Sequence, residues 1–173
     1  MQRKLVMTLI ARDRPGLVDS IAAVVAGHGG NWRESRMARL GGQFAGILRA
    51  EVPEQQEKPL LDDLRRLEAS GLSVTVNADE SLALPEAGQV NVLEILGQDR
   101  PGIVRQISKA LVSHGVNVEE LETECASAAM SGETLFKAHA RLSIPDSCDK
   151  ARLRRDLEKI AADLIVDISL ADA

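Results

Sequence analysis

The stretch Asp13-Arg14-Pro15-Gly16-Leu17-Val18 returns as Asp99-Arg100-Pro101-Gly102-Ile103-Val104, 86 residues further along the chain. The same offset carries Ile21 to Ile107, His28-Gly29 to His114-Gly115 and Asn31 to Asn117 without a gap. Self-similarity at a fixed period marks two copies of one structural unit. Further on, Pro53 matches Pro145, an offset of 92, so the second copy holds six additional residues between its second and third strands. The segment Ala126-Ser127-Ala128-Ala129-Met130-Ser131-Gly132 is where they fit.

Working outward from the repeated turn, Leu5 to Ile10 and Val90 to Leu96 are short apolar runs consistent with buried central strands. Pro15 and Pro101 sit where a helix begins, at the position whose N–H lacks an intrahelical partner anyway. Leu17, Ile21, Val24 and Val25 then form one apolar stripe, matched by Ile103, Ile107, Ala110 and Leu111. His28-Gly29 and His114-Gly115 close these helices, the glycine being free to take the left-handed conformation. A second strand begins near Trp32 or Val118, and Gly41-Gly42 makes a hairpin into the third strand of the first copy. In the second copy Phe136, Ala138, Ala140, Leu142 and Ile144 alternate with polar neighbours, which predicts a strand buried on one face. Leu60, Leu64 and Leu67, then Leu153, Leu157, Ile160 and Leu164, mark a second helix in each copy. Val74 and Val76, then Val166, Ile168 and Leu170, mark a last strand. The order β-α-β-β-α-β, twice, predicts an α+β protein of two tandem ferredoxin-like domains, each an antiparallel sheet with its helices on one face. The expected boundaries are residues 1–79 and 89–173, with 80–88 as the linker.

Composition narrows the function. The chain is 45% hydrophobic and 27% charged, the balance of a globular protein. Trp32, Phe44 and Phe136 are its only aromatic residues, too few for a base-stacking platform. A net charge of −5 argues against direct nucleic-acid binding, which needs a surplus of Lys and Arg. The apolar run near the N-terminus is too short for a signal-peptide core or a membrane span, so no membrane partner and a cytoplasmic location are expected. Cys125 and Cys148 have no metal-type spacing and read as reduced thiols. Gly-x-Ser-x-Gly, Walker-type, His-Glu-x-x-His and Cys-x-x-Cys motifs are all missing, and no nucleophile–base pair suggests itself, so neither catalysis nor a cofactor is expected. His28 and His114 read as helix-terminal residues whose imidazoles help satisfy the last carbonyls.

A βαββαβ unit with Asp-Arg-Pro-Gly-Leu/Ile-Val at its first strand–helix turn and Gly-x-Asn after the helix resembles an ACT domain. Two such units with almost nothing else resemble the glycine cleavage system transcriptional repressor family. That resemblance implies amino-acid binding at ACT–ACT interfaces and control exerted through a protein partner. Within that family it further implies glycine or a similar small amino acid as effector and a transcription activator as partner. It also implies homo-oligomers formed by ACT pairing, which suits units of roughly 80 residues with small cores. A detached regulatory subunit of a biosynthetic enzyme, or a pairing module without ligand, would share the layout.

For an amino-acid ligand, the repeated turn supplies complementary chemistry. N–H groups at the helix start can take its carboxylate. Gly16 and Gly102 leave room for close approach. Asp13 and Asp99 can pair with its ammonium group, and Asn31 and Asn117, with both donor and acceptor, can bridge. These six are the expected ligand-binding residues. Asp13 and Asp99 equally suit helix N-caps, and the two asparagines equally suit turns. Some amino-acid-binding ACT domains carry a polar side chain two residues before this Asp; here those positions are Ala11 and Gly97. Finally, Arg33, Arg36 and Arg39 align with Glu119, Glu122 and Cys125, which reads as a solvated strand face, a charge-directed pairing edge or a docking patch for an acidic partner.

Overall fold

A computed structural model of the chain describes residues 1–79, 88–127 and 133–173. Its internal contacts divide it into two compact units, one per repeat. The first runs β1 (Gln2–Arg12), α1 (Leu17–Gly27), β2 (Asn31–Leu40), β3 (Gln43–Pro53), α2 (Glu57–Arg66) and β4 (Leu72–Ala78). The second runs β5 (Gln89–Gln98), α3 (Ile103–Ser113), β6 (Asn117–Ser127), β7 (Thr134–Ile144), α4 (Lys150–Leu164) and β8 (Val166–Asp172). Each unit holds one four-stranded antiparallel sheet, in the orders β2-β3-β1-β4 and β6-β7-β5-β8. This is the ferredoxin-like α+β arrangement expected from the sequence.

The helices cover one face of each sheet. Leu5, Met7, Leu9 and Ala11 alternate inward along β1 and pack in one cluster with Leu17, Ile21 and Val25 of α1 and Leu60 and Leu64 of α2. In the second unit Leu93 and Ile95 pack with Ile103, Ile107, Leu153 and Leu157, and the alternation predicted for β7 is the one observed. β1 and β5 are central in their sheets, yet they are buried on one side rather than two. Ile10 is 50% exposed and Leu96 44% exposed on the uncovered face. The apolar runs there misled because residues facing away from the core are apolar too.

At the first turn Pro15 and Pro101 lie outside the helices, which begin at Leu17 and Ile103. Gly16 and Gly102 are the N-caps, with φ of 89° and 96°. That is the left-handed region, where a Cβ is strained, so the backbone itself demands glycine. Gly41 and Gly42, at φ 57° and 77°, form the tight β2–β3 hairpin. The linker expected at 80–88 lies outside the described residues apart from Gly88, and so do residues 128–132 of the expected insertion.

Candidate functional site

The Asp-Arg-Pro-Gly turn has the same backbone in both units. The Asp13 N–H donates to the Gly42 carbonyl at 2.9 Å, and the Asp99 N–H donates to the Thr134 carbonyl at 2.9 Å. Each turn is therefore tied to the neighbouring hairpin, while each helix starts on its left-handed glycine with the Gly16 or Gly102 carbonyl accepting from Ser20 or Gln106. A side chain grown at Gly16 would meet nothing within 4 Å, and one at Gly102 would only reach Gln106 Nε2 at 4.0 Å. Both turns are thus open to approach from outside. Neither helix has a side-chain cap, so Asp13 and Asp99 do not serve as N-caps.

The surroundings of the two turns differ in charge. In the first unit Arg39 Nε lies 2.9 Å from Asp13 Oδ2, so an arginine of β2 occupies that carboxylate. Asp19 adds a second negative charge in the first turn of α1. In the second unit the residue corresponding to Arg39 is Cys125, and Asp99 makes no side-chain hydrogen bond or ion pair among the described residues. Asp19 is replaced by Arg105, whose cation reinforces the positive end of the α3 dipole. The first turn of the helix thus carries a negative charge, Asp19, in one unit and a positive one, Arg105, in the other. An incoming ammonium meets an occupied aspartate in one and an open aspartate in the other.

Asn31 and Asn117 do not join these turns. Asn31 pairs with Glu51, which on its other side pairs with Lys4, so Asn31 is level with the start of β1. Asp13 follows nine residues later, roughly 25–30 Å away by strand rise. Asn117, opposite Ser143 and level with Val90, stands in the same relation to Asp99. A single unit therefore assembles the Asp and Gly of the expected set at one end of its sheet and the Asn at the other. The polar side chain that some relatives place two residues before the Asp has no room here: Ala11 is buried, and a Cβ on Gly97 would fall 2.6 Å from Val166 Cγ1.

The histidines do more than end their helices. His28 Nε2 lies 2.9 Å from Asp63 Oδ2 and Nδ1 lies 3.0 Å from Gln56 Oε1. His114 Nε2 lies 2.7 Å from Asp156 Oδ2. Each ring clasps the end of the first helix to the second helix of its unit, rather than bonding terminal carbonyls. The bond to Gln56 raises the His28 pKa; burial works against it, and Asp63 raises it further. The bond to His114 draws the Asp156 carboxyl below its usual range. Asp63 and Asp156 recur at the same place in each second helix, a signal legible in the repeat once the helices are superposed. The three β2 arginines do not share one face. Arg33 sits in a β-bulge between Trp32 and Glu34 and approaches Glu51 at 3.9 Å, Arg36 approaches Glu34 at 3.8 Å, and Arg39 closes Asp13.

Among the described residues no group of three or more His, Cys, Asp or Glu side chains is placed to hold a metal ion. Nor is any helix among them long and apolar enough to cross a membrane.

The chain belongs to the ACT domain family, whose model matches residues 3–78 and 89–171. Within it, the glycine cleavage system transcriptional repressors of Escherichia coli (strain K12) and Shigella flexneri are each 24% identical over 172 residues, spanning 94% of this chain and 86% of theirs. A crystal structure of an unknown protein from Galdieria sulphuraria is 26% identical, with a TM-score of 0.88 over 100% of this chain and 99% of its own. A crystal structure described as "putative glycine cleavage system transcriptional repressor" has a TM-score of 0.72 at 16% identity, over 100% and 98% of the two chains, a likeness of fold. The protein is a tandem ACT-domain protein related to that repressor.

Proposed function

We infer that the chain is a non-catalytic, amino-acid-responsive regulator acting through a protein partner, with the Asp99–Gly102 turn of the second unit as its principal ligand site. The observation that carries this reading is the Asp99 carboxylate, without a partner among the described residues, beside an open left-handed glycine and a helix start reinforced by Arg105. An α-amino acid presents an ammonium and a carboxylate one carbon apart, and this turn offers a complement to each. In the first unit Arg39 and Asp19 oppose both contacts, so Asp13 and Gly16 form the weaker site. Asn31 and Asn117, at the far end of each sheet, contribute only when another ACT unit brings them to a turn. Pairing of ACT units, to which homo-oligomerisation contributes, then completes the site. The relationship to the glycine cleavage repressors favours glycine or a similarly small amino acid as effector, and a transcription activator as partner.

The test is calorimetry of the full chain against the twenty amino acids. A small amino acid binding in the wild type, at least tenfold weaker after Asp99→Asn, supports the reading. No binding by any amino acid at millimolar concentration leaves a pairing module instead. The partner is tested by pull-down with the glycine cleavage activator of the same organism, with and without the amino acid.

A further inference from the structure

Each unit leaves one face of its sheet without helices, and the two open faces differ. In the first unit the two middle rows across that face read Arg36-Ile47-Thr8-Thr75 and Ala38-Ala45-Ile10-Ser73. Ile47 is 54% exposed and Ile10 is 50% exposed. They are diagonal neighbours on adjacent strands, close enough to form one apolar patch. Arg36 is the sole charged member of either row. The corresponding rows of the second unit read Glu122-His139-Glu94-Ser169 and Glu124-Lys137-Leu96-Asp167. The same fold therefore accepts a charged open face. The neutral, partly aliphatic face of the first unit is not required by its architecture, and a contiguous exposed apolar patch marks a contact surface.

The strand order decides what fits this surface. β3 and β1 are the middle strands of the sheet, with β2 and β4 outside them. A two-fold axis between β3 and β1, parallel to the strands, sets β3 of one copy over β1 of the other, and β2 over β4. Row then meets row, in the aligned manner of packed sheets. Ile47 faces the copy's Thr8 and Ile10 faces its Ala45, so each large side chain meets a small one. Toward the ends of the strands Glu51 faces Lys4, and Arg12 faces Gln43. On the outer strands Arg36 faces Thr75, and Glu34 faces Asn77. Arg49, over the copy's Val6, keeps its own bonds to Asp79 and Glu34. No like charges are opposed, and the face is complementary to itself. For the second unit the same operation sets Glu124 against Asp167 and takes Glu94 and Glu122 out of water, which is costly.

We propose that the open sheet face of the first unit is a homodimer interface, seating a second copy of the chain face to face about this axis. It is separate from the Asp99 turn and stands whether or not that turn binds an amino acid. Four strands about 4.8 Å apart, followed from Val6 to Arg12, span roughly 19 by 24 Å, so two such faces cover on the order of 900 Å². That is the low end of specific interfaces, where association is weak and depends on concentration.

The experiment is sedimentation velocity of the full chain from roughly 1 to roughly 500 µM, a range that brackets a weak dimer. The wild type is expected to move toward twice its low-concentration mass as loading rises. Ile10→Glu and Ile47→Glu each place an unpaired carboxylate in the contact and are expected to weaken association about tenfold or more. Both side chains are exposed, so the melting midpoint in dilute solution, read by circular dichroism, is expected to hold. Leu96→Glu, the equivalent of Ile10 on the charged face of the second unit, is expected to associate like the wild type. Monomer at every loading overturns the proposal and leaves the face to another protein. Association unchanged in both Ile10→Glu and Ile47→Glu also overturns it, as does an equal loss in Leu96→Glu.

Discussion

The Asp13–Gly16 and Asp99–Gly102 turns are the same object built twice, and they differ in the charged side chains that surround them. Both start a helix on a left-handed glycine and tie the aspartate N–H to the adjacent hairpin. Around one stand Arg39 and Asp19, around the other Cys125 and Arg105. The motif that identifies the fold is set by the backbone: glycine for its dihedral angle, proline to keep the helix from starting early. The neighbours that set the charge around each turn, Arg39 or Cys125 on the second strand and Asp19 or Arg105 just past the motif, are free to diverge. A repeat in sequence is therefore evidence for equal folds, and no evidence for equal sites.

The largest expected effects test whether the two units are equal where they should be. Leu60 and Leu153 are corresponding, fully buried second-helix leucines, and each →Ala change should cost about 2–5 kcal/mol by denaturant unfolding. A marginal cost at one site would mean that the cores are not equivalent. Next, Gly97→Ala should cost roughly 1–3 kcal/mol, because its Cβ would lie 2.6 Å from Val166 Cγ1 and 2.8 Å from the Val166 backbone. A neutral result would show that β8 can yield and that a side chain is admissible beside the second turn. Smaller still, Asp13→Ala and Asp99→Ala should each change baseline stability by less than about 1 kcal/mol, since neither caps its helix and the Arg39 side of the Asp13 pair is exposed. A loss near 2 kcal/mol in either would restore a structural role for the aspartate.

The smallest effect is on pH dependence. With its folded pKa raised, His28 contributes stability that is fully present below about 6.5 and is lost as pH rises through the raised value. Wild type minus His28→Asn stability should therefore be greater at pH 5.5 than at pH 8.5. Asp156, with its pKa lowered by His114, contributes above the ordinary carboxylate range and loses that contribution as pH falls. An Asp156→Asn comparison between pH 5.5 and pH 3 should show the opposite slope.

Element order, helix stripes, the β7 alternation and the Gly41-Gly42 hairpin were legible in the sequence, because periodicity and turn chemistry are local. The burial of β1 and β5 was only half legible, since Val6, Ile10 and Leu96 are apolar on a face that no helix covers. The Asp and Gly of the candidate site were found as a motif. Arg39 stands out in the sequence as a difference between the repeats, but its contact with Asp13 depends on the β2–β3–β1 register. Repetition alone associates Asn31 and Asn117 with the turns, whereas the strand direction carries them to the opposite end of the sheet. The His28–Asp63 and His114–Asp156 clasps link residues 35 and 42 positions apart, beyond any local pattern.

We propose the second turn as the stronger amino-acid site and the first as the weaker, and a thermal-shift comparison of Asp13→Asn and Asp99→Asn in the full chain tests this directly. At a hundredfold excess over Kd, a single site stabilises the fold by about 2.7 kcal/mol, a rise of several degrees in Tm. With glycine as titrant, Asp13→Asn should keep most of the wild-type shift and Asp99→Asn should lose most of it. Equal losses in both variants, or loss in Asp13→Asn alone, would contradict the account.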